Sequence, residues 1–153
     1  MRNKIINFLL MSAFIMGCNI QANSSEFVFE SEYIEFKNNG NTIEAKNGVK
    51  IISDNQIEII ADESLYNKLT SELLLRGNVV LIDAERNIKI LSQEIIYNKN
   101  IEKIVSKGEA TLQLINNYTL YSKNLEYFKK DKVIQSKYKS TLVDKFNNKM
   151  VTT

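Results

Sequence analysis

From residue 27 onward, apolar residues alternate with polar ones in runs of roughly eight to ten, and polar clusters interrupt the runs about every fifteen residues. Alternation with period two places one class of side chain on one face of a β-strand. The clusters include Asn38-Asn39-Gly40, Asp83-Ala84-Glu85-Arg86-Asn87, Asn98-Lys99-Asn100, Asn116-Asn117 and Asp144-Lys145-Phe146-Asn147-Asn148. Asn, Asp and Gly tolerate the left-handed backbone of close turns, so each cluster predicts a strand-to-strand connection. Residues 65–75 come nearest to a helical stripe but break the phase of the other runs. The predicted fold class is all-β.

The runs also repeat in register. Ser31, Ala61, Ser92, Ser122 and Thr152 form a column with spacings of 30, 31, 30 and 30 residues. Five residues after the first four come Phe36, Tyr66, Tyr97 and Tyr127, and eleven beyond these lie Asn47, Gly77, Gly108 and Tyr138. Two residues before the Ser/Ala column stand Phe29, Ile59, Ile90, Leu120 and Met150. Two residues past the Asn/Gly column stand Val49, Val79, Ala110 and Ser140, and four past it Ile51, Leu81, Leu112 and Leu142. Offsets of two and four mark one strand face, so these residues line a common apolar surface. Lys50, Glu58, Lys89, Thr111, Gln113 and Thr141 fall on the opposite face, while Val79-Val80-Leu81-Ile82 reads as apolar on both. Each repeat is thus two strands, and four repeats fill the chain.

Composition narrows what such a sheet can do. The net charge of +2 comes from Arg2 and Lys4, because residues 1–22 contain no Asp or Glu and the remainder carries 18 basic and 18 acidic side chains. A neutral domain lacks the electrostatic footprint of nucleic-acid binding. With no His and a single Cys, Cys18, there is no imidazole for acid–base or metal chemistry, no internal disulfide and no thiolate cluster. Pro is absent where average usage predicts roughly seven or eight, which leaves ladder hydrogen bonds uninterrupted. Neither a cofactor nor a metal site is expected.

Arg2 and Lys4 precede an apolar segment over residues 5–16, broken only by Asn7 and Ser12, and then Gly17-Cys18-Asn19-Ile20-Gln21-Ala22. This order fits a signal peptide over residues 1–22, with the mature domain at 23–153. Cleavage after Ala22 leaves a soluble exported domain. The alternative takes Ile15-Met16-Gly17-Cys18 as a lipobox, with Cys18 lipidated and the same domain anchored to a membrane.

Several features invite a chemical reading and have a plainer one. An aromatic column at strand ends packs over a core edge, and a Gly column marks a bulge or a close backbone approach. The carboxylate pairs Asp62-Glu63 and Glu30/Glu32 are the minimum for a glycosidase, but strand neighbours point to opposite faces. Lys129-Lys130-Asp131-Lys132 reads as a solvated turn. No catalytic residue is assigned, and the chain is not expected to be an enzyme.

The stretch Ile60-Ala61-Asp62-Glu63-Ser64-Leu65-Tyr66, followed by Arg76-Gly77-Asn78-Val79, resembles the OstA-like family. That pattern is Ala-Asp, an aromatic, and Gly-Asn-Val about eleven residues on. It returns with substitutions at Ser92-Gln93, Tyr97 and Gly108-Glu109-Ala110, and again at Ser122-Lys123, Tyr127 and Tyr138, so the likeness runs from about Phe27 to the C-terminus. The family comprises the lipopolysaccharide-transport bridge proteins LptA and the periplasmic N-terminal domain of LptD. The degenerate repeats, with their Lys- and Asn-rich turns, look more like the latter.

The resemblance implies a twisted, open β-jellyroll whose apolar interior shields lipopolysaccharide acyl chains in the periplasm, next to the outer membrane. It implies a groove lined by Phe29, Ile51, Ile59, Val79, Leu81, Ile90, Ala110, Leu112, Leu120 and Leu142. It further implies edge-to-edge pairing with neighbouring bridge proteins, placed here at Phe27, Val28 and Phe29. Residues 149–153 begin a fifth repeat, as expected of a fragment whose native chain continues. Two other classes fit less well: a β-solenoid adhesin needs three short strands per coil, and a jellyroll enzyme lacks its His and Cys.

Overall fold

The computed structural model describes residues 27–53, 56–114 and 117–152. Six long strands come first: β1 (Val28–Lys37), β2 (Thr42–Ile52), β3 (Ile57–Asn67), β4 (Glu72–Asp83), β5 (Ile88–Asn98) and β6 (Lys103–Leu114). Five shorter ones follow: β7 (Tyr118–Lys123), β8 (Glu126–Phe128), β9 (Val133–Gln135), β10 (Ser140–Val143) and β11 (Lys149–Thr152). All pair antiparallel with their neighbours in the order β1-β2-β3-β4-β5-β6-β7-β10-β11, with β8 on β6 and β9 on β8. The sheet is therefore open, with β1 at one edge. The predicted eight strands become eleven because the last two long runs are each broken at mid-length, into β7 and β8 and into β9 and β10, and the start of the fifth repeat adds β11.

Every long strand carries an irregularity at the same level. Register shifts fall between Ser31 and Tyr33, Lys46 and Val49, Ile60 and Glu63, Arg76 and Val79, and Ser92 and Glu94. Extra residues at one level bend every strand there, so the sheet folds along a line into two leaves. Leaf I holds residues 28–31, 49–52, 57–61, 79–83, 88–92 and 110–114 with β7, β10 and β11. Leaf II holds residues 33–37, 42–46, 63–67, 72–76, 94–98 and 103–107 with β8 and β9. Their inner faces close on each other and form one apolar core.

The Ser and Gly columns build this fold line. Asn47, Gly48, Gly77, Asn78 and Gly108 all have positive φ, which glycine and asparagine adopt at least cost. Across the bend, the Ser31 hydroxyl donates to the Lys46 carbonyl, and the Ser92 hydroxyl donates to the Glu109 carbonyl at 3.1 Å. The Asn78 amide donates to Asp62 Oδ2 at 3.0 Å, and Gly108 N–H donates to Asn124 Oδ1 at 2.7 Å. The motif that carried the resemblance is thus a fastening of successive bulges.

Candidate functional site

The apolar columns read from the sequence become ladder rows. Phe29 pairs with Ile51, Ile51 with Ile59, Ile59 with Leu81, Leu81 with Ile90, and Ile90 with Leu112. Leu112 pairs in turn with Leu120, Leu120 with Leu142, and Leu142 with Met150. Paired residues in a ladder point to the same face, so one inward row crosses nine strands. Ile51, Ile59, Leu81, Ile90 and Leu112 are fully buried; Phe29 and Leu120 are partly buried against them, and Leu142 is half-buried. Val79 and Ala110 are also buried, one step nearer the fold line and joined through Ser92.

Leaf II answers with its own row: Phe36, Ile43, Tyr66, Leu73, Tyr97, Ile104, Tyr127 and Ile134 are successive partners. The aromatic column supplies four of these: Tyr66, Tyr97 and Tyr127 are buried at the seam where the leaves meet, and Phe36 stands exposed at the β1 edge. The interior is open only at its ends. At β1 the inward-facing Ile34 and Phe36 are 37% and 65% exposed, and at β11 the inward-facing Met150 is 64% exposed. An apolar track closed along its length and bare at its ends can pass an apolar chain from one neighbour to the next. Among the described residues, no three His, Cys, Asp or Glu side chains are grouped to hold a metal ion.

The three expected edge residues divide. Val28 is exposed on the outward side of β1 and Phe29 is half-buried, but Phe27 precedes the strand and is turned inward. Its ring meets Phe29, Tyr66 and Tyr97 edge-on, with centroids 6.1, 4.9 and 5.8 Å away, and Lys99 Nζ lies 4.6 Å from its centroid. The aromatic environment retains Phe27 in the seam, so at this edge a partner meets the backbone of β1 and the side chain of Val28.

One expectation is corrected. Of the turn read as solvated, Lys130, Asp131 and Lys132 are exposed, but Lys129 is 1% exposed, with Nζ 2.9 Å from Glu85 Oε2 and 3.6 Å from Asp83 Oδ1. The cause is Asp83, the last residue of β4, which ends up fully buried and needs compensation. Tyr127 O–H donates to its Oδ2 at 2.8 Å, Arg86 N–H donates to its Oδ1 at 3.2 Å, and Arg86 Nη1 stands 3.8 Å away. Burial, then the bond to Asp83, raises the Tyr127 phenol above its ordinary range. The cluster ties the β4–β5 turn of leaf I to the β8–β9 turn of leaf II. Its members lie 44 residues apart, and no local pattern announced it.

The carboxylate pairs lie at the fold line and along the free edge. Asp62 serves the bulge at Gly77-Asn78, Glu63 is exposed beside it, and Glu30 and Glu32 lie exposed on β1. The leader expected over residues 1–22, Cys18 included, lies outside the described residues.

Residues 19–137 match the family described as "Lipopolysaccharide-assembly, LptC-related". The fold is similar to that of LptH from Pseudomonas aeruginosa, the LptA-homologous periplasmic component of a lipopolysaccharide transport device. The TM-score is 0.65 over 84% of this chain and 95% of that one, at 8% sequence identity. No curated protein matches the sequence. The preference for the LptD N-terminal domain draws no support from these matches.

Proposed function

We propose that this chain, which belongs to the lipopolysaccharide-assembly, LptC-related family, is a periplasmic conduit that shields the acyl chains of lipopolysaccharide between its two leaves. The observation that carries the reading is the inward row from Phe29 to Met150, continuous over nine strands, half-buried at Phe29 and bare at Met150. Exposing a fourteen-carbon chain to water costs about 0.8 kcal/mol per methylene, roughly 10 kcal/mol in all. Acyl chains enter from an open end by parting the leaves, and the row lowers the solvation barrier while the energy for transport comes from elsewhere. No cofactor takes part. Residues 1–22 serve as the export signal, and the mature domain begins at residue 23. The role is the same for an LptA-like bridge protein and for an LptD N-terminal domain, and it sets the chain among proteins handing lipid to the outer membrane.

The edges supply the second half of the reading. The 28–37 edge carries unpaired backbone donors and acceptors next to the exposed, inward-facing Ile34 and Phe36, so a strand added there extends both the ladder and the apolar row. The test places photo-crosslinking residues at Phe29, Ile59, Ile90 and Leu120 and, as outward controls, at Glu58 and Arg76, then adds lipopolysaccharide. Capture from the inward positions alone is expected. Equal labelling of both sets would overturn the conduit.

A further inference from the structure

We infer that the outer face of leaf I carries a second lipid-binding site, distinct from the interior, which takes one anionic single-chain amphiphile. A cleft of about 750 Å³ runs over the outward row Ile82, Lys89, Gln113, Thr119 and Val143, which are successive ladder partners across β4, β5, β6, β7 and β10. The β10–β11 turn walls it with Lys145 and Asn147. A second depression of about 540 Å³ lies nearer the fold line, over Val80, Leu91 and Thr111. Tyr121, half exposed, borders both. Each volume is in the range of small-molecule sites.

Charge changes along this path. The end by the turns carries Lys89 and Lys145 beside Ile82, Gln113, Thr119 and Val143, whereas the end by the fold line has no cation in its lining: Val80, Leu91 and the Tyr121 ring stand there with Asn78, Gln93, Thr111 and Glu109, and Glu109 is held by Lys123 at 2.8 Å. Lys89 and Leu91 are two residues apart on β5, or about 7 Å at the rise of a strand. A head group at the lysines and a tail over Val80 and Leu91 therefore fit one molecule.

The charges choose the head. Two carboxylates border the cleft, and both are engaged. Asp83 holds Tyr127 and Arg86, while Asp144 accepts from Phe146 N–H and Asn148 N–H and from the Asn148 amide. Lys89 and Lys145 have no carboxylate partner among the described residues; Lys145 only rests over the Phe146 ring at 4.9 Å. On leaf II three outward cations are matched, Arg76 on Glu94, Lys46 on Glu44 and Lys103 on Glu126, while the exposed Lys107 has no carboxylate partner among the described residues. In the leaf I cleft an apolar floor thus adjoins two positive charges that no carboxylate matches.

This site needs no acyl chain inside the leaves, so it stands apart from the conduit reading. The test titrates dodecyl phosphate, below its micelle concentration, into labelled protein and follows methyl resonances by NMR. Saturable shifts are expected at Val80, Ile82, Leu91 and Val143, with Ile59, Leu81 and Ile90 unmoved. The double variant Lys89→Gln/Lys145→Gln changes two side chains outside the packed interior. It should weaken this binding about tenfold, as expected for two surface ion pairs. Dodecyl maltoside, with the same tail and a neutral head, should bind the same methyls more weakly, and inorganic phosphate alone should move none. Shifts confined to the inward methyls would overturn the outer site and leave the conduit standing. Shifts nowhere, or a double variant that binds as well as the parent, would also overturn it, whatever lipopolysaccharide crosslinking shows.

Discussion

Replacing Gly77 with alanine asks the fold line for room it does not have. A Cβ built on Gly77 lies 2.2 Å from Asp62 Oδ2 and 2.8 Å from Asp62 Cβ, and φ there is +74°. The left-handed conformation alone costs a non-glycine residue about 1–2 kcal/mol. Asp62 must also swing away, which breaks its bond from the Asn78 amide, a net contribution of about 0.5–1.5 kcal/mol. The expected loss is therefore about 2–3 kcal/mol. At Gly48 and Gly108 nothing stands within 4 Å of the built Cβ, so alanine there meets only the backbone term, about 1–2 kcal/mol.

Urea denaturation of Gly77→Ala, Asp62→Ala and the double variant checks the reasoning. Asp62→Ala alone should cost about 1 kcal/mol. The double variant should lose less than the sum of the singles, since the methyl then meets no carboxylate and the same hydrogen bond is lost only once. Strict additivity, or a Gly77→Ala cost equal to that of Gly108→Ala, would refute the claim that Asp62 fastens this bulge.

Three further outcomes follow from the same structure. Leu81→Ala, in the middle of the inward row, should cost about 2–5 kcal/mol by denaturant melting, whereas Ile60→Ser on the outward face should stay within about 0.5 kcal/mol. Asp83→Asn takes a carboxylate away from the buried Lys129 and should cost about 3 kcal/mol, more than Tyr127→Phe at about 1–2 kcal/mol; the reverse order would misplace the charge that organises the cluster. Glu44 is held down at about 2, from an ordinary 4.5, by hydrogen bonds from Lys37 and Lys46. A depressed carboxylate stabilises the fold above its unfolded pKa and loses that contribution as pH falls through its folded one, so the Glu44 carbon resonance should titrate near pH 2 and Lys37→Met should move it upward.

The rows were legible because a strand repeats its face every two residues and this chain repeats its hairpin every thirty or so. Ile59, Ile90 and Leu120 needed only a phase to be placed on one surface, and the ladder makes them neighbours through Leu81 and Leu112. The Gly column signalled a backbone irregularity, and Gly77 and Gly108 lie at one. What the pattern could not carry is the consequence of stacking those bulges, a sheet folded so that Asp83 on one leaf meets Tyr127 on the other. Lys129 was misread for that reason: the rest of its Lys-Lys-Asp-Lys turn is solvated, and the buried Asp83 draws in Lys129 alone. The outward cleft was hidden too. Lys89 and Gln113 were placed on the polar face, but the half-buried Val80 and Leu91 beside them depend on how the leaf curves.

A folded sheet of this kind restricts what can dock on its edge. At β1 the inward positions are Phe29 on leaf I and Ile34 and Phe36 on leaf II, with the irregularity between Ser31 and Tyr33. A partner strand that prolongs both rows must therefore present apolar residues opposite Phe29 and Phe36, as β2 does on the other side with Ile51 and Ile43. A one-residue slip turns every side chain of a strand to the wrong face. The fold line that makes the interior dry thus also sets the register for a neighbour. A module bent at the same level would bury Phe36 and continue the row from Phe29 together, which favours partners built on the same thirty-residue repeat.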